Sequence, residues 1–167
     1  MQDNIDKVQL FRDAMANYPT GVNVVTAVDK EKEPFGMTVN SFASVSLDPL
    51  LILWSIDHNA STYDQFMETE QFVVNILAEE QADLASTFAK SDIDRFAQVD
   101  WHTSAADLPI IDGAMASLQC NVFKKIEAGD HIIFIGEIFD IQVTDKAPLL
   151  YHNRKLGPLP AVFHEER

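Results

Sequence analysis

Cysteine, glycine and basic side chains are scarce in this 167-residue sequence, and each scarcity removes a class of function. The single cysteine, Cys120, excludes an intramolecular disulfide and leaves a thiolate zinc site without partners. Its simplest role is a small packed apolar side chain, and a lone thiol fits a reducing, cytoplasmic location. The six glycines stand at 21, 36, 113, 129, 136 and 157, so neither a G-x-G-x-x-G fingerprint nor a Walker A loop can be written. A G-x-S-x-G elbow and an H-E-x-x-H pair are missing too. The five histidines, at 58, 102, 131, 152 and 164, lack metal-ligand spacing, so no metal is expected. Lys and Arg total 12 against 26 Asp and Glu, a formal net charge of -14 that repels nucleic acid and anionic lipid. The longest apolar run covers only residues 50–54, too short for a membrane helix, and the first residues lack the basic start and apolar stretch of a signal peptide.

What is present describes a globular domain. Hydrophobic residues make up 47% and charged residues 23%, and the length suits one domain over 1–167. Apolar residues at three- and four-residue spacing predict a helix over 5–16. Residues 22–28 are β-branched and apolar and read as a strand, followed by a charged loop at 29–34 and a return strand from Phe35. Alternation runs from Met37 to Leu47, stops at Asp48-Pro49, and gives way to a buried strand over 50–56. Short helices are expected over 59–68 and 79–88, with a strand over 72–77 between them and a loop over 90–96 after them. Past a weakly patterned stretch around Trp101, two long strands over 114–126 and 131–143 form a hairpin. The tail over 148–163 holds three prolines and one glycine and reads as a surface arm, not another strand. About seven strands with short connections outnumber three helices, which predicts a mainly β, antiparallel small barrel with peripheral helices and argues against a doubly wound parallel sheet.

Small polar residues interrupt the apolar strands: Thr38, Asn40, Ser41, Ser44, Ser46, Ser55 and Asn75. Such groups face water, satisfy one another, or satisfy a ligand. Asn75 is the most informative, because it breaks a run that is apolar on both faces and wants a partner such as backbone or a heterocycle edge. Ser61 and Thr62 stand where a helix begins after a buried strand, as plain N-caps or as partners of a phosphate. Lys90 and Arg95 lie in an otherwise acidic loop, as salt-bridge residues or as phosphate partners. His131 follows Gly129-Asp130 at a strand start, as a turn residue or as a donor to a substrate.

Taken in order, the motifs resemble one family. Pro19-Thr20-Gly21-Val22 is followed by Val24-Val25-Thr26 and then by Gly36-Met37-Thr38-Val39-Asn40-Ser41-Phe42-Ala43-Ser44-Val45-Ser46-Leu47-Asp48-Pro49. Phe72-Val73-Val74-Asn75, Asp94-Arg95-Phe96, Asp112-Gly113-Ala114, Gly129-Asp130-His131 and Pro148-Leu149-Leu150-Tyr151-His152 come next. The string resembles the flavin reductase family over about 10–153, leaving a proline-containing arm over 154–167. The resemblance implies an FMN-binding split β-barrel of Greek-key-like antiparallel strands, working as a homodimer with FMN or FAD at the subunit interface. It implies NADH or NADPH as hydride donor, with NADH favoured by the acidic charge, and a separate oxygenase component that receives reduced flavin. Carried over by motif, Thr38, Asn40 and Ser41 line the ring side, and Phe42 and Asn75 are expected among the cofactor-binding residues. Ser55, Ser61 and Thr62 face the ribityl and phosphate end with Lys90 and Arg95. Phe88 and Phe96 wall the pocket, Tyr151 closes it, and His131 lies near the nicotinamide as the catalytic candidate. The alternatives on the same barrel are a non-catalytic FMN-binding protein, a flavoprotein with a different acceptor, and a barrel for some other apolar ligand. The stretch 101–107 and the tail from Asn153 depart from the family pattern.

Overall fold

Helix α1 (Lys7–Ala16) opens the computed structural model, which describes residues 6–164. Ile5, where the sequence pattern starts this helix, and residues 165–167 of the expected arm lie outside the described residues. The Asp6 carboxylate caps α1 by accepting the Val8 N–H at 3.0 Å, and none of the helix's residues is buried. The strands that follow are β1 (Thr20–Gly21), β2 (Asn23–Val28), β3 (Pro34–Val39), β4 (Ala43–Leu47) and β5 (Leu50–Asp57). Helix α2 (Tyr63–Glu68), β6 (Gln71–Ile76) and α3 (Ala82–Phe88) come next, then β7 (Trp101–Thr103) and β8 (Pro109–Ile111). The chain ends in β9 (Ala116–Ala128), β10 (His131–Val143), β11 (Leu149–His152) and β12 (Lys155–Pro158).

Seven strands form one antiparallel sheet in the order β3-β2-β6-β9-β10-β5-β4, with over-and-back connections of the Greek-key kind. Its two edge strands, β3 and β4, are joined by only three residues, 40–42, so the sheet curls into a barrel whose seam lies at that corner. Ser41 closes the seam with its side chain. Its hydroxyl donates to the Ser55 carbonyl at 3.0 Å and accepts the Ser55 N–H at 3.0 Å, at the position where the β4–β5 ladder would otherwise continue. The β4–β5 pairing itself is irregular between Ser44 and Ser46.

Alternation along β5 points Ile52, Trp54 and Ile56 inward, where Phe134 of β10 stacks on Trp54 at 4.8 Å and Phe72 of β6 meets it edge-on at 5.8 Å. Helix α2 plugs the barrel with Phe66, fully buried between Trp54 and Phe35. Each buried phenylalanine contributes on the order of 1.5–3 kcal/mol. Gly136 has no side chain because a Cβ there would lie 2.5 Å from the Phe72 ring. A second apolar cluster, with Val22, Val24, Leu77, Phe88, Phe96 and Leu149, packs α3 against the outside of β2. No helix among the described residues is long and apolar enough to cross a membrane.

Four expectations need correction. The tail is a hairpin, β11–β12, paired with β1 in a separate three-stranded sheet. Pro158 is tolerated because it ends β12, the edge strand of that sheet, where a missing N–H costs no ladder bond. The alternating run over 37–47 is two strands and a corner, and the weak stretch around Trp101 is the hairpin β7–β8. The helix expected over 59–68 starts only at Tyr63, with Thr62 as an N-cap that makes no side-chain capping bond.

Candidate functional site

Strand β3 is an edge strand, so its outer backbone groups need partners from elsewhere. Helix α3 and the loop after it supply them. The Thr38 hydroxyl donates to the Ala85 carbonyl at 2.7 Å, and the Arg95 guanidinium donates from Nη1 to the Gly36 carbonyl. Gly36 is required there, since a Cβ would meet the Val25 carbonyl at 2.6 Å. Arg95 also donates from Nε to the Lys90 carbonyl at 2.6 Å and from Nη2 to Ser61 Oγ at 3.3 Å. Partial burial pulls its pKa below the ordinary guanidinium value, which is so high that the charge is kept at neutral pH.

On either side of these ties lies a concavity. One, of about 230 Å³, is lined by Phe35, Ser61, Thr62, Ser91, Asp94, Arg95 and Phe96. The other, of about 340 Å³, is lined by Val22, Thr38, Val39, Asn40, Ala85, Ser86, Tyr151 and Arg154 among others. Along β3 the first reaches Phe35, with Arg95 on the Gly36 carbonyl, and the second begins at Thr38, two residues and so about 7 Å beyond Gly36 at the rise of a strand. One end thus offers a cation and hydroxyls, and the other offers apolar walls with a polar edge from Thr38 and Asn40. A larger depression of about 840 Å³ lies elsewhere, around Lys30, Glu68, Asp107 and Lys125. None of the residues expected at the site lines it. The Lys125 ammonium is committed there to the carbonyls of Met67 and Thr69, at 2.7 and 3.3 Å.

The structure therefore gathers Thr38, Asn40 and Tyr151 at one end and Ser61, Thr62, Arg95 and Phe96 at the other. Thr62 is buried, with its hydroxyl on Met37 Sδ at 3.3 Å. Lys90 is exposed beside Arg95. Ser41 and Ser55 bond each other at the seam, and the half-buried Phe42 packs on the barrel core. Two expected ligand residues are not available to one. Asn75 is fully buried, and its amide bonds Val24, Thr26, Ile111 and Ser117. Phe88 is also fully buried, edge-on to Phe96 at 5.2 Å, and supports the pocket from beneath without lining it.

His131 lines neither concavity. It begins β10 opposite Asp57, half-buried, with Nδ1 on Asp130 Oδ1 at 2.7 Å. That hydrogen bond and the charge of His131 hold the Asp130 carboxyl below its ordinary pKa. Asp57, Asp130 and His131 bring their ligand atoms within 4.8 Å of one another, although Asp57 Oδ1 already accepts from Asn59. Sequence reasoning missed Arg154 and Ser86. The signal for Arg154 was the Asn153-Arg154 pair, which occupies a left-handed turn, φ 49° and 62°, that places the side chain at the cleft.

Comparison with known proteins identifies the family. Residues 15–160 match the family described as flavin reductase like domain. The chain is 43% identical over 150 residues to the reductase component of a flavin-dependent trigonelline monooxygenase from Acinetobacter baylyi, covering 90% of this chain and 48% of that protein. It is 39% identical over 147 residues to the FMN reductase (NADH) SmoA of Agrobacterium fabrum, covering 88% and 83%. The solved structure of the Streptomyces globisporus NADH:FAD oxidoreductase SgcE6 with NAD and FAD fragments superposes with a TM-score of 0.87 at 35% identity, over 96% of this chain and 97% of that one. The chain thus spans about half the length of the trigonelline relative and most of the other two. An antiparallel barrel split along a seam, with a cleft along the edge strand β3 and a match over nearly the whole sequence, makes this chain a member of the flavin reductase like domain family.

Proposed function

We propose that this protein reduces a flavin held along β3 with a pyridine nucleotide, and that the reduced flavin serves a separate oxygenase component. It is an NAD(P)H:flavin oxidoreductase, and the observation that carries the reading is the pair of concavities along β3. A hydroxyl and guanidinium cluster, tied to β3 at Gly36, stands two residues, about 7 Å, along that strand from Thr38 at the near edge of a chamber with apolar walls and a polar edge. That spacing and donor set fit a flat heterocycle joined through a polar chain to a phosphate. A bound flavin, FMN or FAD, supplies a ring that accepts hydride and passes electrons onward.

The chain's own residues bind and orient. Arg95, Ser61 and Thr62 hold the phosphate against the field of a -14 chain, with Lys90 adding charge at the rim. Asn40 and the accepting lone pairs of the Thr38 hydroxyl face the ring edge, and the seam at Ser41 and Ser55 fixes the corner that carries Asn40. Phe96, braced by Phe88, and Tyr151 exclude water. No protein nucleophile is needed for hydride transfer, which accounts for a cleft without a triad. His131 is the catalytic candidate, its ring oriented by Asp130. NADH is the favoured donor, since an added phosphate on the donor is disfavoured by the net charge, and both relatives named for a nucleotide use NADH. A cytoplasmic setting goes with a donor of that kind.

A second copy covers the apolar surface that the single chain leaves open. Helix α1 exposes Val8, Leu10, Phe11 and Met15, and the β9–β10 hairpin exposes Phe123, Phe139, Ile141 and Val143. A Phe11→Glu variant, which removes no buried packing, is expected to halve the mass found by light scattering; an unchanged mass removes α1 from the interface.

The test of the reaction is anaerobic addition of NADH to the protein with FMN. Protein-dependent bleaching of the oxidised flavin is expected, and His131→Ala should slow it while leaving flavin affinity intact. Tight flavin binding without bleaching by either nucleotide would move the protein to the non-catalytic flavin-binding alternative.

A further inference from the structure

The chain has four arginines, and two of them stand one at each end of the cleft. They are held differently. Arg95 donates to the carbonyls of Lys90 and Gly36 as well as to Ser61. Arg154 lines the 340 Å³ chamber with Thr38, Asn40, Ser86 and Tyr151, and enters no ion pair among the described residues. Among the described lysines and arginines only Lys30 and Lys146 pair with a carboxylate, so what sets Arg154 apart is its place: an exposed guanidinium on the lining of the chamber, with its donor fork open to an anion.

The backbone fixes where that fork stands. Asn153 and Arg154 form the two-residue turn between β11 and β12, both with left-handed φ, at 49° and 62°. Asparagine and glycine are the residues that accept such a turn readily, so an arginine at its second position is there against backbone preference. The turn is also anchored, because the Asn153 N–H donates to the Ala16 carbonyl at the end of α1 at 2.6 Å.

Which anion follows from the concavity each arginine lines. The phosphate of FMN belongs with Arg95 and Ser61, in the other concavity, which shares no lining residue with this chamber. The second phosphate of FAD is bonded to the first and stays at that end. An anion at Arg154 therefore belongs to the other ligand. We propose that Arg154 binds the diphosphate bridge of the pyridine dinucleotide, making it a specificity residue for the hydride donor. The inference rests on the reductase reading above. It also explains how a chain with no G-x-G-x-x-G loop holds a dinucleotide: a planar guanidinium takes the part that a helix N-terminus has in a Rossmann site.

The experiment uses the flavin-saturated protein and the variants Arg154→Gly, which relieves the backbone, and Arg154→Lys, which keeps charge without the fork. Calorimetric titration with ADP-ribose reads diphosphate binding without turnover. Steady-state rates with NADH are compared with 1-benzyl-1,4-dihydronicotinamide, a hydride donor that carries no phosphate. Arg154→Gly is expected to weaken ADP-ribose binding and raise the KM for NADH about tenfold, the scale of one lost charge-assisted bond at a solvated site. Flavin affinity and the rate with the phosphate-free donor stay unchanged, and Arg154→Lys recovers part of the loss. Equal losses with both donors, a fall in flavin affinity, or ADP-ribose binding within twofold of the parent would overturn the proposal. ADP-ribose binding lost in Arg154→Gly, from a parent that oxidises neither donor, would sustain the diphosphate contact and overturn the reductase reading, and with it the role toward a hydride donor.

Discussion

Replacing Asn75 with alanine separates a structural amide from a ligand amide, and the structure fixes how large the effect should be. Asn75 Oδ1 accepts the Ile111 N–H at 3.0 Å and the Ser117 hydroxyl at 3.3 Å, while Nδ2 donates to the Val24 carbonyl and to Thr26 Oγ1, each at 3.0 Å. Thr26 passes its own hydrogen to the Pro109 carbonyl at 2.5 Å. One side chain thus ties β6 to β2, β8 and β9. Alanine strands the Ile111 N–H in a fully buried position, at about 1–3 kcal/mol, and loses about 1 kcal/mol more for the Ser117 hydroxyl and for the void. A total near 3 kcal/mol lowers Tm by roughly 10 °C for a chain of this size. Thermal and urea unfolding by circular dichroism measure it at matched protein concentration, with fluorescence quenching reporting flavin affinity below the transition. Asn75→Asp should be worse, since it buries a charge and loses both donors. A Tm within 2 °C of the parent, with flavin affinity reduced tenfold, would refute the reasoning and return Asn75 to the ligand.

Two further outcomes are expected. Arg95→Ala should weaken FMN binding about ten- to hundredfold, because it removes the phosphate's cation and frees the Gly36 carbonyl, whereas riboflavin, which has no phosphate, should lose little; equal losses for both would make Arg95 a structural clamp only. Burial pushes the Cys120 thiol up to about 12, so at pH 8 the thiolate fraction is about one in ten thousand. The native protein should leave Ellman's reagent uncoloured at that pH and release one equivalent in urea, and fast labelling of native protein would contradict the burial.

Much of the barrel was legible because its strands carry unambiguous patterns: β2, β5, β6 and the β9–β10 hairpin follow from β-branched runs and a Gly129-Asp130 turn. The seam was not, because residues 37–47 read as one alternating run although Asn40-Ser41 and Phe42-Ala43 break the phase at the corner. The tail was misread for a related reason. Proline argues against a strand only when an N–H is needed, and at the end of an edge strand none is. At the site, Asn75 stood out as an amide in an apolar run, yet its partners come from residues as far along the chain as Ile111 and Ser117, which no local pattern reveals. Arg95 was found by motif, while its grip on Gly36 needed the fold. Arg154 went unnoticed because its turn interrupts a segment that read as an arm.

The uneven pairing of β4 has a consequence for how the protein behaves in a crowded solution. A free sheet edge is a template for further strands, and β4 is an edge with Val45 and Leu47 exposed. Between Ser44 and Ser46 the register slips by one residue, so the outward row of donors and acceptors is broken in the middle of a five-residue strand. An incoming chain can form a rung or two on either side of the slip but cannot run across it. The irregularity that shapes the seam thus also keeps the barrel from growing into a ribbon, and it lets an exposed apolar edge stand beside a ligand cleft without inviting fibres.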